Sequence, residues 1–431
     1  MALDPDSQEF ATEPVPPERQ VGWVRVALIS AMVAFSLPTF VTGAEVWLAL
    51  DNGSAITAVV AGCGMLTVIA ALCGAIGTRT HLSSYMLARI AFGSGGAGLV
   101  NIAFAISLLG WFGVNIDLFG GAVLRLLDDT MGVALPAWVA ELFAGVVMTV
   151  TTLYGFRAIN TLSLVLVPVM MTVTAVLIAT ALGKRSLSDT LAAVQVADLS
   201  FGAAVSSVVG GVIVGAVIMP DITRFIRDWR GALYTALLAY GIVQGVVMIA
   251  GGLAADVLVN SDFLDVLIVM GLGWGAFVIV IAGSWVLNSL NLYSTALSVE
   301  ATFPKVPNTG LILALGAFGT IAAFLNILDY FLTFLFYLAI VFVPVAGVIA
   351  VDHFFVRPAA YFGDQLGRIR RVSPMALIAW LAGSTVALLG DRELITLSGI
   401  AALDALVVSA LGYAVLSWFE RRSRLAAKST P

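Results

Sequence analysis

Apolar residues fill this chain in twelve long stretches, and polar residues are confined to the short gaps between them. The stretches fall at about 24–50, 54–77, 97–127, 133–155, 159–182, 202–222, 231–255, 265–298, 309–327, 329–356, 373–390 and 395–419. Each is long enough to cross a hydrocarbon layer as a helix. The gaps carry turn and charge signals: Asp51-Asn52-Gly53, Asp128-Asp129, Gly183-Lys184-Arg185, and Pro304 to Pro307. No stretch alternates with the period of a strand, which excludes a membrane β-barrel. The pattern predicts an all-α polytopic membrane protein with twelve transmembrane helices. Residues 1–20 are polar, acidic and proline-containing. They read as a disordered cytoplasmic tail rather than a signal peptide. The transmembrane domain spans 21–419, and 420–431 forms a second cytoplasmic tail.

Composition fits this reading. The chain is 60% hydrophobic and 11% charged, against roughly 25% charged in a soluble domain. The distribution of charge sets the orientation. With the N-terminus in the cytoplasm, 17 of the 21 basic residues fall on the inside and 4 (Arg125, Lys184, Arg185, Arg392) on the outside. That is the asymmetry of the positive-inside rule. The outside loops are acidic (Asp189, Asp198, Asp256, Asp262, Asp265, Asp391, Glu393). Both termini are therefore expected in the cytoplasm, in a multi-pass protein of the cytoplasmic membrane. Cys63 and Cys73 are ten residues apart in one stretch, about 15 Å along a helix, too far to bridge.

Two stretches carry helix-breaking residues in corresponding places. The first holds Ser36-Leu37-Pro38-Thr39 and Thr42-Gly43, and the sixth holds Gly210-Gly211, Gly215 and Met219-Pro220. Stretches one and six correspond if the first ten form two five-helix repeats, about 24–182 and 202–356, followed by two further helices at 373–419. Paired interrupted helices point to a transporter's midplane site. The plainer reading of Gly211 and Gly215 is close helix packing through small residues.

The third stretch contains Gly110-Trp111-Phe112-Gly113-Val114-Asn115-Ile116-Asp117. Trp111 and Asn115 are four apart and share a helix face. An aromatic face beside an amide suits a flat, hydrogen-bonding ring. An interhelical hydrogen bond is the alternative. In the eighth stretch, Ser284, Asn288, Asn291, Thr295 and Ser298 form one polar stripe on an apolar helix, flanked by Trp285 and Ser289. Such a stripe faces a cavity or the opened backbone of another helix. Glu45 and Asp117 are intramembrane carboxylates, candidates for a proton site or an ion pair.

Several function classes drop out. Gly93-Ser94-Gly95-Gly96-Ala97-Gly98 matches G-x-G-x-x-G, but no strand precedes it. It reads as a flexible cytoplasmic loop entering the third helix. His81 and His353 both fall at span ends, which leaves no metal cluster and no nucleophilic triad at depth. An intramembrane enzyme and a passive channel are the readings from other classes. Neither a reactive group at depth nor a continuous polar path supports them.

The chain resembles the nucleobase:cation symporter-1 family, in particular its cytosine permease branch, over nearly its whole length. The resemblance rests on Gly110-Trp111-Phe112-Gly113-Val114, on Asp221-Ile222-Thr223-Arg224-Phe225, and on Trp285-Val286-Leu287-Asn288 through Leu292-Tyr293. It extends to Pro344-Val345-Ala346-Gly347-Val348-Ile349 with Asp352, and to Leu87-Ala88-Arg89 with Phe92-Gly93. It implies a leucine-transporter-type fold of two inverted five-helix repeats with helices one and six discontinuous. The implied function is a cation symporter importing a nucleobase or related planar heterocycle, such as cytosine or a purine. A proton-coupled carrier of allantoin, hydantoin or a thiamine precursor is the alternative.

By the same resemblance, Trp111 stacks on the substrate, while Asn115 and Asn288 hydrogen-bond it. Gly211, Val212 and Gly215 form the substrate-facing part of helix six. Cytosine permeases carry an aromatic where this chain has Val212, an acidic residue where it has Ser289, and a glutamine where it has Leu108. Related sodium-coupled members bind the ion at the break in helix one, here near Ser36 and Thr39, and with helix-eight hydroxyls. Those hydroxyl positions are Ala282 and Gly283 here, and Ser284 is the nearest hydroxyl. The coupling ion is thus sodium or a proton. No cofactor, resident metal or nucleic acid is expected. The partners are the heterocycle and the lipid bilayer, and the expected transport unit is a single chain.

Overall fold

The computed structural model describes residues 13–133, 135–154, 156–186, 188, 190, 199–258, 263–273, 278, 283–303, 306–325, 331–363, 369–391 and 394–428. Among them the chain is nearly all helix. The first half contains α1 (Trp23–Ala34), α2 (Leu37–Ala49), α3 (Asn52–Thr80), α4 (Ser84–Met131), α5 (Ala137–Leu153), α6 (Phe156–Lys184), α7 (Phe201–Val217) and α8 (Pro220–Thr223). The second half contains α9 (Trp229–Ala236), α10 (Gln244–Leu258), α11 (Phe263–Val269), α12 (Ser284–Thr302), α13 (Asn308–Ala323), α14 (Phe331–Val351), α15 (Pro374–Asp391) and α16 (Ala401–Lys428). A π-helical stretch, Leu237–Val243, joins α9 to α10. Among the described residues seven helices are long and apolar enough to cross a membrane, or eight with α1 and α2 taken as one bent span. Ala137–Leu153, Asn308–Ala323 and Pro374–Gly390 are shorter apolar helices.

The first span is broken where its sequence requires it. α1 and α2 meet at a 55° bend, with Ser36 extended at φ −93°, ψ 151°. Pro38 supplies no N–H, and in a continuous helix its ring would strike the carbonyl of Ala34. The sixth stretch is not broken in the same way: among the described residues Phe201–Thr223 runs as one span, with only a local turn near its end. Gly210, Gly211 and Gly215 are all within α7, which runs to Val217. The chain then turns at Ile218 and Met219 before the short α8. Gly210 lies within the helix, and its missing side chain admits the Leu335 carbonyl of α14.

Three other expectations are corrected. Gly93–Gly98 is not a loop: α4 passes through it, kinked at Gly93, whose φ is +82°. The kink opens backbone groups that pair with a second segment. Ser94 N donates to Arg370 O at 2.9 Å, Gly95 N to Arg371 O at 2.8 Å, and Ser373 N to Phe92 O at 2.8 Å. A Cβ on Gly93 would sit 2.8 Å from Val372 Cα, so only glycine serves there. The stretch 265–298 is not one helix, since α11 ends at Val269 and the chain turns at Gly271, φ +80°. Residues 13–20 of the expected disordered tail are ordered. Pro17–Arg19 forms a turn of 3₁₀-helix, Val15 N donates to His81 O at 3.0 Å, and the following Val21 N donates to Phe225 O at 2.7 Å. Residues 1–12, Asp189, Asp198, Asp262, Ala282, Lys305, Arg368, Arg392 and Glu393 lie outside the described residues.

Small residues set the helix spacing. Gly43 of α2 lies against the Met248 carbonyl of α10, Gly251 against the Phe40 carbonyl, and Gly252 against the Trp47 ring. α2 and α10 are therefore packed backbone to backbone, as membrane helices commonly are. Cys63 and Cys73 are buried free thiols.

Candidate functional site

A cavity of about 880 Å³, counting the space at its mouth, lies where the first-span break meets α4, α7, α10 and α12. Val33 lines it from the end of α1, and Pro38, Thr39 and Thr42 from the start of α2. The break therefore turns one carbonyl-rich helix end and one N–H-rich helix start toward the same space. The hydroxyls there are held in place. Ser36 Oγ and Thr39 Oγ1 are 3.1 Å apart, and Thr42 Oγ1 donates to Pro38 O at 2.8 Å.

The aromatic wall is Trp111 on α4, 6% exposed and lining the cavity. Phe334 of α14 holds its ring edge to face, with centroids 5.5 Å apart. Gly211, Val212 and Gly215 of α7 line the cavity, as do α12 residues that include Asn291 and Ser294. A Cβ on Gly215 would sit 3.0 Å from the Tyr240 hydroxyl, so a small residue there leaves that phenol room at the wall. Apolar walls with a few fixed polar groups are the usual form of a small-molecule site.

The other residues singled out from the sequence are buried behind this wall. Asn115 is fully buried, and its Nδ2 donates to the Trp111 carbonyl at 2.8 Å. Asn288 is also fully buried. Its Nδ2 donates to Phe112 O at 2.9 Å, and its Oδ1 accepts from Asn291 Nδ2 at 3.4 Å. Ser289 is fully buried with an unpaired hydroxyl, and its carbonyl accepts from Thr152 Oγ1 at 3.2 Å. Of the three cation candidates, Ser36 and Thr39 line the cavity, and Ser284 is buried with an unpaired hydroxyl. The stripe on α12 thus works in two layers, with Asn291 at the cavity and Asn288 behind it.

Sequence reasoning placed Asn291 in the stripe expected to face a cavity, but did not single out Thr42, Tyr240 or Asp221 as cavity residues. Thr42 carried a signal, because it sits three residues from Thr39 on the same helix face. Tyr240 carried none. It reaches the cavity from the π-helical stretch before α10, and such stretches are frequent at functional sites.

A family model described as a permease for cytosine/purines, uracil, thiamine and allantoin matches residues 14–418. The chain belongs to this family. It is 28% identical over 421 residues to the cytosine permease of Escherichia coli (strain K12), covering 97% of this chain and 96% of that one. Its fold is similar to that of Mhp1, a nucleobase-cation-symport-1 family transporter, in a closed conformation with bromovinylhydantoin bound. The TM-score is 0.81 at 18% identity, covering 97% of this chain and 96% of that one. A Na+-coupled sialic acid symporter in a substrate-bound outward-open state matches with a TM-score of 0.69 at 12% identity, over 96% and 93% of the two chains. The permease is thus a nucleobase-type membrane transporter, and its family and neighbours are transporters rather than enzymes.

Proposed function

We propose that this permease is a secondary active transporter that imports a nucleobase or related planar heterocycle across the cytoplasmic membrane. The observation that carries the reading is the cavity, which Trp111 lines together with the broken first span and the small residues of α7. A flat ring stacks on Trp111, and Asn291, Thr39 and the open helix ends at the break address its edge. Asn115 and Asn288 act through the residues they hold, Trp111 and Asn291. Ser289 contributes to the same buried layer. Val212 in place of an aromatic leaves the second ring face to an aliphatic contact, which favours a broader range of planar rings.

Twelve helices, two inverted repeats and cytoplasmic termini complete the proposed architecture. Alternating access then moves spans one, two, six and seven against a scaffold built on α4 and α12. The coupling ion is read as sodium or a proton. Ser284, with its unpaired buried hydroxyl, and the Phe35 carbonyl against which Gly283 packs supply oxygens beside Ser36 and Thr39. The proton reading has its own support in Glu45, whose buried Oε2 has no hydrogen-bond partner.

The test is uptake of labelled cytosine, uracil, purines, allantoin and hydantoin into proteoliposomes, under a sodium gradient or a proton gradient imposed separately. Saturable uptake driven by one gradient supports the reading. No uptake of any ring overturns it and leaves only the fold.

A further inference from the structure

The phenol of Tyr240 carries a polar group at the cavity wall that the packing of the protein does not use. Tyr240 is 4% exposed and lines the cavity. It stands in the π-helical stretch Leu237–Val243, where the Gln244 N–H reaches back five residues to Ala239 O. Gly215 of α7 lines the same cavity, and a Cβ on it would sit 3.0 Å from the Tyr240 hydroxyl oxygen but 4.0 Å from the ring carbon that bears it. The tip of the phenol, rather than its ring edge, therefore meets the α7 wall. Among the described residues this hydroxyl forms no hydrogen bond. The Gln244 amide and the Ser289 hydroxyl are also unpaired, but they are sealed inside the protein, and neither residue lines the cavity.

Packing accounts for the ring of Tyr240 and not for its oxygen, since phenylalanine would fill the same space. A buried phenol O–H ordinarily finds a partner, and leaving it without one is costly. The space beside the oxygen is kept open by Gly215, whose missing side chain would otherwise crowd it. A phenol is a better donor than acceptor, because its oxygen lone pair is drawn into the ring. The partner it fits is an acceptor, and on a flat nitrogen heterocycle the acceptor that projects furthest is a ring carbonyl oxygen.

We propose that Tyr240 and Gly215 form a specificity notch, in which a carbonyl oxygen of the bound heterocycle sits beside Gly215 and accepts the Tyr240 O–H. This rests on the reading of the cavity as the heterocycle site, and it names the class of ring preferred there. Rings with an exocyclic oxygen at the contacted position bind better than counterparts with a weaker acceptor.

The substitution Tyr240→Phe tests this, because it removes the oxygen and keeps the ring. Equilibrium competition binding on the full chain in nanodiscs compares uracil with 2-thiouracil and 4-thiouracil, and hypoxanthine with 6-mercaptopurine, sulfur being the weaker acceptor. Tyr240→Phe is expected to weaken the oxygen-bearing rings about fivefold, as for loss of a neutral hydrogen bond. The analogue whose sulfur replaces the contacted oxygen should change by less than about twofold, with the melting temperature unchanged. Gly215→Ala adds an independent arm. Its methyl crowds the phenol oxygen, but without that oxygen it meets nothing closer than Val212 Cγ1 at 3.7 Å. It should therefore weaken uracil in the natural chain and add little in the Tyr240→Phe background. Unchanged affinities in Tyr240→Phe overturn the proposal, as do equal losses for every oxygen and sulfur ring or additive effects of the two substitutions. If the unsubstituted protein binds none of these rings, the heterocycle reading falls and takes the notch with it. If it binds them and Tyr240→Phe does not discriminate, only the notch falls.

Discussion

Asn288 Nδ2 donates to the backbone oxygen of Phe112 at 2.9 Å, tying α12 to α4 one residue beyond the cavity tryptophan. This bond joins the two helices proposed as the static scaffold. Hydrogen bonds between membrane helices are worth about 0.6 kcal/mol on average, with a maximum near 1.7 kcal/mol. Asn288→Leu is therefore expected to lower the melting temperature in detergent and to weaken ligand binding together. Reduced binding with an unchanged melting temperature would instead assign Asn288 a direct substrate contact.

Trp111 lines the cavity and is braced by Phe334. Stacking of a base on an aromatic ring is worth about 1–3 kcal/mol. Trp111→Ala is expected to reduce heterocycle affinity by about tenfold or more at normal expression, and Trp111→Phe to recover part of the loss. Unchanged uptake of every ring in Trp111→Ala removes the stacking role.

The close contact of α2 and α10 is set by glycine. A Cβ on Gly43 would overlap the Met248 carbonyl, whereas one on Gly64 meets nothing within 4 Å. Overpacking of this kind costs about 1–3 kcal/mol. Gly43→Ala should lower thermal stability and transport, while Gly64→Ala should leave both unchanged. Equal behaviour of the two variants in a detergent melting assay would contradict the packing argument.

A buried ionic cluster braces the far end of α14. Asp352 is fully buried and bonds Arg357 Nε and Nη2, each at 2.9 Å, and the Tyr361 and Tyr413 hydroxyls at 2.7 and 2.6 Å. Arg357 Nη2 also donates to Ile90 O at 2.8 Å, on the turn that leads into the Gly93 kink. Removing one partner of a buried pair costs about 3–5 kcal/mol. Arg357→Met is expected to destabilise strongly. Adding Asp352→Asn to it should restore part of the melting temperature by removing the uncompensated charge.

The coupling ion separates two sets of residues. If sodium drives uptake, Ser284→Ala should raise the sodium concentration needed for half-maximal transport and leave proton dependence untouched. If protons drive it, Glu45→Gln should abolish accumulation against a gradient while exchange of labelled for unlabelled substrate persists. Uptake assays under each imposed gradient decide between them.

The membrane class and the break at Pro38 were legible from the chain because each depends on local chemistry. Long apolar runs must span or aggregate, and a proline inside one must interrupt it. Trp111 was legible for the same reason, since an aromatic beside an amide stands out in an apolar run. The Gly93 segment misled, because glycines that look like a loose loop are here held in a kink by Arg370 and Arg371, far along the chain. The polar stripe of α12 was visible as a stripe. Which of its amides reaches the cavity was not, because Asn288 and Asn291 differ by only one helical step.

The sequence by itself determined the class of protein and the helix faces that carry polar groups, because periodicity and composition act within one segment. Only the tertiary structure decided that Asn115 and Asn288 stand behind the wall while Asn291, Tyr240 and Asp221 line it. The physical reason is that cavity lining depends on how separate helices are rotated and spaced against one another. That spacing comes from contacts such as Gly43 on Met248 and Gly210 on Leu335, between residues that lie far apart in the chain.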